Sequence, residues 1–224
     1  MEVLIRILCV LGGYCLGLFQ TAYIYGRLHG IDIREHGSGN SGTTNALRVL
    51  GKKAGLIVFL GDLLKAAIAC VLARVIGTLL FPEILYPMIL WAGLGVVIGH
   101  NFPFYMGFKG GKGIAATAGV ILGILDYRIC LICLIAFILC VVITKYVSVG
   151  SLVVVTLFFV SFLVFGMVGG IMNPVTKMPY AGSELIESYI IIFLFAALAF
   201  FRHKANIDRL IHGKENKIFA KKSE

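Results

Sequence analysis

Gly37-Ser-Gly-Asn-Ser-Gly-Thr-Thr-Asn-Ala-Leu-Arg48 is a polar island in a chain of 224 residues that is 59% hydrophobic and only 14% charged. Glycine, serine, threonine and asparagine fill nine of its twelve positions, and Arg48 closes it, far more hydrogen-bonding capacity than a connection between apolar segments needs. Glycines let the backbone turn its N–H groups toward an anion, hydroxyls and amides add donors, and the Arg48 guanidinium adds a fixed charge that fits phosphate or carboxylate. The stretch reads as a ligand cradle, with Ser38, Arg48, Gly37, Gly39, Asn40, Thr43, Thr44 and Asn45 as its donors and turns. The formal match Gly37-x-Gly39-x-x-Gly42 to a dinucleotide fingerprint carries little, because that motif needs a preceding strand and a βαβ unit.

Working outward, apolar segments run from about 3 to 25, 54 to 80, 85 to 101, 114 to 126, 129 to 144, 148 to 171 and 186 to 201. With a mean hydropathy of +0.97 this composition excludes a soluble globule, and it predicts an all-α polytopic membrane protein, a seven-helix transmembrane bundle over the single domain 1–224. The formal charge of +9 is a question of sidedness, since no nucleic-acid module is visible. Seven passes with the N-terminus outside put fifteen of the twenty basic residues on the cytoplasmic face, Lys221 and Lys222 among them, and leave Arg6, Arg128 and Lys177 outside and Lys65 and Arg74 inside the second span. Merging 114–144 into one span throws the basic tail outside and fails that rule. In the seven-pass arrangement four polar elements share the cytoplasmic face: 37–48, 107–113, 145–151 and the tail. The six cysteines lie in apolar runs and read as small buried hydrophobes; no metal ligand set or cofactor motif is expected.

The second polar element, Gly107-Phe-Lys-Gly-Gly-Lys-Gly113, opens a helix, so that Lys109, Gly110, Gly111, Lys112 and Gly113 offer lysine charge and free N–H groups to an anion. It is no Walker A motif, for Gly113 stands where Ser or Thr would hold Mg²⁺. His100 and Asn101 just upstream either contact a ligand or simply end their helix. Ser148 reads equally as the N-cap of the sixth span or as a ligand. Asp62 and Lys65, three residues apart and deep in the second span, are expected to pair and brace the bundle. In the tail, Arg202, His203, Asn206 and Arg209 form one polar face if the segment is a continuous helix, with a basic surface helix as the alternative.

Three stretches together resemble the signature motifs of the bacterial acyl-phosphate:glycerol-3-phosphate acyltransferases: Gly37 to Arg48; Gly99-His-Asn-Phe-Pro with Gly107 to Gly113; and Arg202-His-x-x-Asn206-Ile-x-Arg209-Leu-x-x-Gly213-x-Glu215. The resemblance implies an integral seven-helix enzyme that moves a fatty acyl group from acyl phosphate to position 1 of glycerol 3-phosphate, making lysophosphatidic acid. By position it implies catalytic roles for Ser38, Arg48, Lys112, His203 and Asn206, substrate binding by the rest of both loops, and a structural role for Glu215; Ser148 and Arg202 join the expected substrate ligands by their place beside those loops and, for Arg202, by its charge. The implied partners are glycerol 3-phosphate, long-chain acyl phosphate, membrane lipid and, in transient docking, the enzyme that forms the acyl phosphate. Ser41 departs from the family, where proline is common at that position, and Asp208 is a second departure, which with His203 makes an H-x-x-x-x-D pattern. Two rival readings use the same residues. An organic-phosphate transporter needs polar residues through the bundle and internal inversion. An acyltransferase fed by acyl-CoA or acyl carrier protein leans on His203 and Asp208, which five residues of helix place on different faces.

Overall fold

In hydrocarbon an unpaired backbone N–H or C=O is costly, so each apolar run satisfies its own hydrogen bonds as a helix. The computed structural model describes residues 1–218, which form α1 (Glu2–Gly17), α2 (Thr21–Leu28), α3 (Thr43–Leu50), α4 (Lys52–Leu80), α5 (Leu85–Asn101), α6 (Ile114–Gly123), α7 (Tyr127–Thr144), α8 (Val147–Met167), α9 (Gly182–Arg202) and α10 (Lys204–Ile211). Lys221 and Lys222 lie outside the described residues. Among those residues six helical segments are long and apolar enough to cross a membrane. The expected fourth span is shorter: α6 has 10 residues, about 15 Å of helix, half a hydrocarbon core.

The α6 ends explain how so short a helix persists. Its N-terminus opens into a cavity described below, and its C-terminal carbonyls are met by Arg74, whose Nη2 donates to Gly123 O at 3.2 Å and Ile124 O at 2.9 Å. Leu125 turns the chain with φ 57°. Asp126 then caps α7, accepting from Arg128 N at 3.0 Å, while the Arg128 guanidinium reaches Gly170 O at 2.7 Å. Arg74, expected as a stray charge within the second span, is thus the cap of a half-length helix.

The first span is broken, where an unbroken one was expected. Between α1 and α2 the carbonyls of Gly17 and Phe19 are released, and buried side chains take them: Gln20 Nε2 donates to Gly17 O at 3.2 Å and to His100 O at 3.0 Å, and Lys65 Nζ donates to Phe19 O at 2.7 Å. Below this break α1 and α5 run parallel in backbone contact. A Cβ on Gly13 would collide with Ala92 O, and one on Gly99 with Tyr14 O. Gly13-x-x-x-Gly17 and Gly95-x-x-x-Gly99 are the small-residue spacing that lets membrane helices approach this closely. At the far end, Arg6 clasps Glu187 through Nε at 2.6 Å and Nη2 at 2.8 Å, and Trp91 Nε1 donates to the same carboxylate at 2.6 Å. That cluster ties α1, α5 and α9 together.

Successive apolar helices alternate in direction, so the ends of α2, α5, α7 and α9 and the starts of α4, α6 and α8 gather on one face. The core lies around α5, which is buried along nearly its whole length. By contrast α7 buries only Ile129 and Cys133. The cysteines do not all behave as buried hydrophobes: Cys70 and Cys133 are buried, Cys15 is exposed on the apolar flank of α1, and all six are free thiols.

Candidate active site

The first polar element is loop only to Gly42; from Thr43 it is helix α3, closed at Gly51 with φ 89°. The correction follows from local geometry. Asn45 on α3 holds the preceding loop, its Nδ2 donating to Ile33 O at 3.1 Å and His36 O at 2.9 Å while its Oδ1 accepts from Ser38 N at 2.9 Å. Asn45 is buried and its amide is spent on this brace. Gly37 has φ 63°, and a Cβ there would strike Asn45 Oδ1, so both backbone and space demand glycine. The folded loop brings Ser38, Asn40, Thr43, Thr44 and Arg48 to a cavity; Gly37 and Gly39 shape the turn without lining it.

The second element docks back on the end of α5. Gly110 N donates to Asn101 O and Gly111 N to His100 O, each at 3.1 Å. From the other side Arg202 donates through Nε to Gly111 O at 3.1 Å and through Nη2 to Gly110 O at 2.9 Å. Arg202 therefore braces the loop with those donors and does not line the cavity, and Lys109 is exposed and points elsewhere. Gly113, with φ 81°, starts α6 so that Lys112, Gly113, Ile114 and Ala115 face the cavity.

The N-cap of α8 is Tyr146, so Ser148 is no cap; it sits in the first turn, buried, its hydroxyl without a protein partner, on the cavity wall. Thr43 Oγ1 is likewise buried and unpartnered there. The tail is not one continuous helix: the chain bends at His203 between α9 and α10. The bend buries His203, whose Nδ1–H donates to Ala199 O at 2.7 Å, leaving the Nε2 lone pair free. Lys112 Nζ donates to Asn206 Oδ1, Asn206 Nδ2 to Glu215 Oε1 at 2.8 Å, and Arg209 Nε to Glu215 Oε2 at 2.8 Å. Glu215 thus holds both Asn206 and Arg209, and Ile218 N bonds Lys145 O at 2.8 Å, drawing the segment past Gly213 across the mouth. Asp208 lies outside on an exposed surface beside His212, so it makes no pair with His203.

All these groups meet in one cavity of about 370 Å³. Its polar end collects three helix N-termini, those of α3, α6 and α8, together with Arg48, Lys112, His203 and Asn206; Asp62 and His100 lie at its floor. Sequence reading found one of the three N-termini. The other two were hidden because α3 reads as loop and α8 as a capped span. Its other end is an apolar groove between α6, α7 and α8, lined by Ala118, Leu122, Leu131, Leu134 and Phe137. No charged side chain lines the cavity deeper than Asp62. Aligned N–H groups and cations favour a multiply charged anion, and the groove favours a hydrocarbon chain. Burial, reinforced by Arg209, Arg202 and Arg48 and opposed by Glu215, pushes Lys112 down to about 8. Burial first and the Lys112 charge second push His203 down to about 4, so its ring is neutral near pH 7. Among the described residues no group of side chains could hold a metal ion.

Residues 7–213 match the profile of the family described as glycerol-3-phosphate acyltransferase. Proteins of that name from Clostridioides difficile and Alkaliphilus metalliredigens are each 39% identical, over 99% and 98% of this chain and 100% of their own length. The crystal structure of PlsY, an integral membrane glycerol 3-phosphate acyltransferase in its glycerol 3-phosphate form, superposes with a TM-score of 0.77 at 29% identity, covering 95% of both chains. A second crystal form of that protein, with lysophosphatidic acid, gives 0.75 at 28% identity over the same 95% of each.

Proposed function

Because this chain belongs to the glycerol-3-phosphate acyltransferase family, we propose that it draws its acyl group from an acyl phosphate and sets it on the 1-hydroxyl of glycerol 3-phosphate. The products are lysophosphatidic acid and inorganic phosphate, the opening step of phospholipid synthesis. One observation carries the reading: a single cavity joins three helix N-termini, Arg48 and Lys112 to an apolar groove open toward lipid. A phosphate-bearing head and a fatty tail fit its two ends.

The chemistry needs little beyond positioning. An acyl phosphate is a mixed anhydride with a good leaving group, so the glycerol oxygen can attack its carbonyl directly. A C–O ester bond forms, the carbonyl–O–phosphorus link breaks, and no acyl-serine is required. Arg48, Lys112 and the N–H groups of α3 and α6 hold the phosphates and stabilise the oxyanion. Ser38, Thr43 and Ser148 supply hydroxyl donors at the rim, and Asn206 orients Lys112. One acceptor for the hydroxyl proton is His203 Nε2, which the bond to Ala199 leaves with a free lone pair. The low basicity of His203 favours a second acceptor, an oxygen of the departing phosphate, a stronger base. No cofactor enters.

The reading includes seven passes, the short α6 counted as one, with the N-terminus outside and the cavity on the cytoplasmic face. That placement meets the positive-inside rule and gives the phosphorylated substrates access from the cytoplasm. Transient docking of an acyl-phosphate-forming enzyme at this face would hand over the insoluble donor. The test offers purified protein labelled glycerol 3-phosphate with palmitoyl phosphate in one tube and palmitoyl-CoA in another. Label entering lysophosphatidic acid only with the acyl phosphate is the expected result, and transfer from the CoA ester alone would overturn the donor. Full turnover by His203→Ala would assign the proton to the donor phosphate.

A further inference from the structure

Lys65 lies in the middle of the bundle with three close acceptors around its ammonium, Phe19 O at 2.7 Å, Asp62 Oδ1 at 2.9 Å and His100 Nδ1 at 2.9 Å, and a longer one, Gly17 O at 3.5 Å. Asp62 Oδ1 also accepts from Thr21 Oγ1 at 3.2 Å. An ammonium only donates, so Nδ1 of His100 accepts from Lys65 and the ring proton sits on Nε2. His100 is 3% exposed, and that Nε2 is turned toward Gly111 of the second loop. The space a side chain on Gly111 would occupy is filled by His100 Nε2 and, at 2.7 Å, by the Ser41 carbonyl of the first loop. Gly111, the residue beside Lys112, is therefore packed against the imidazole edge and against the carbonyl two residues before Thr43.

A buried ion pair is poor value as a mere brace, since apolar side chains of equal volume hold helices together as well or better. What it supplies is one fixed ring orientation. We propose that Asp62 and Lys65 act as positioning residues through His100, whose Nε2 edge sets the distance between the N-terminus of α3 and Lys112. The affinity for the phosphate of glycerol 3-phosphate depends on that distance. The inference rests on the function proposed above and assigns His100 a part in substrate affinity rather than in the acyl-transfer step.

Two substitutions separate the halves of the ring. In His100→Asn the amide oxygen takes the place of Nδ1 and still accepts from Lys65, but nothing reaches the loops. In His100→Gln the amide nitrogen reaches the place of Nε2. With saturating palmitoyl phosphate and varied glycerol 3-phosphate, H100N is expected to raise KM about 10- to 100-fold with kcat within about threefold of wild type. H100Q should keep KM within about threefold, and all three proteins should melt within a few degrees of one another. Wild-type KM in H100N, or equal KM in the two variants, overturns the proposal. Should H100N not fold, the double variant D62N/K65M removes the ionic centre without leaving a lone buried charge; it is expected to raise KM about 10-fold, and wild-type KM there overturns the idea equally. Should wild-type protein not use palmitoyl phosphate, the donor reading fails by itself. Calorimetric titration of glycerol 3-phosphate alone then decides the positioning role, weaker binding to H100N supporting it and equal binding refuting it.

Discussion

On the proposed function, Lys112 is expected to set the alkaline limit of the enzyme. Its ammonium must be charged to hold phosphate, and burial among Arg48, Arg202 and Arg209 brings it down to about 8. In the free protein about nine-tenths of it is charged at pH 7, about half at pH 8 and about a tenth at pH 9. The sign follows directly: raising pH removes the charge, so kcat/KM for glycerol 3-phosphate, which reports the free enzyme, should bend near pH 8 and then fall about tenfold per unit. Bound phosphate favours the ammonium, so kcat itself should bend at higher pH. His203, held near 4, is neutral throughout this window and contributes no limb above pH 5. The assay is initial rate with palmitoyl phosphate from pH 5.5 to 9.5, for wild type and Lys112→Arg. Arginine stays charged across that range, and dividing one profile by the other removes the titration of the substrates' own phosphates. A lower absolute rate in K112R is expected, but its alkaline limb should vanish. An alkaline limb of the same midpoint in K112R would refute the assignment.

Three further outcomes follow from the packing. Glu215→Ala strips the acceptor from both Asn206 and Arg209; kcat/KM should drop about 10- to 100-fold, while Glu215→Gln, able to accept one of the two bonds, loses less. Lys65→Met leaves Asp62 as a lone buried charge and should cost about 3–5 kcal/mol in unfolding experiments in detergent, most of it restored in D62N/K65M. Arg74→Met abandons the Gly123 and Ile124 carbonyls in an apolar layer, at about 1–3 kcal/mol for each, visible as a lowered Tm with the cavity residues unchanged.

Hydropathy alone located every long span, and the three polar stretches do converge in space. The errors have physical causes. Thr43 to Leu50 looked like loop because it continues a stretch, Gly37 to Arg48, in which three glycines and six hydroxyl or amide side chains dominate, yet Asn45 spends its amide on the turn before it and frees the backbone to coil. The break in the first span has no proline to announce it; it exists because Gln20 and Lys65, one of them from another helix, accept the cost of the released carbonyls. Arg202 looked like a substrate ligand by its place in a polar face, and the bend at His203 swings it beneath the Gly110–Gly111 loop instead. The paired glycines of α1 and α5 were readable all along, from their four-residue spacing, as a close helix contact.

That contact divides the molecule mechanically. Where Gly13, Gly17, Gly95 and Gly99 let two backbones touch, no side chain is left to rearrange, and the end of α5 that carries His100 stands on a keel. Across the groove, α7 packs along α8 but buries only Ile129 and Cys133, and it offers most of its surface to lipid. Thermal breathing and the lateral pressure of the bilayer act on that leaf. On the proposed function, the acyl chain is expected to come and go through the lipid-facing side while Arg48 and Lys112 keep their spacing beside the glycine-packed one.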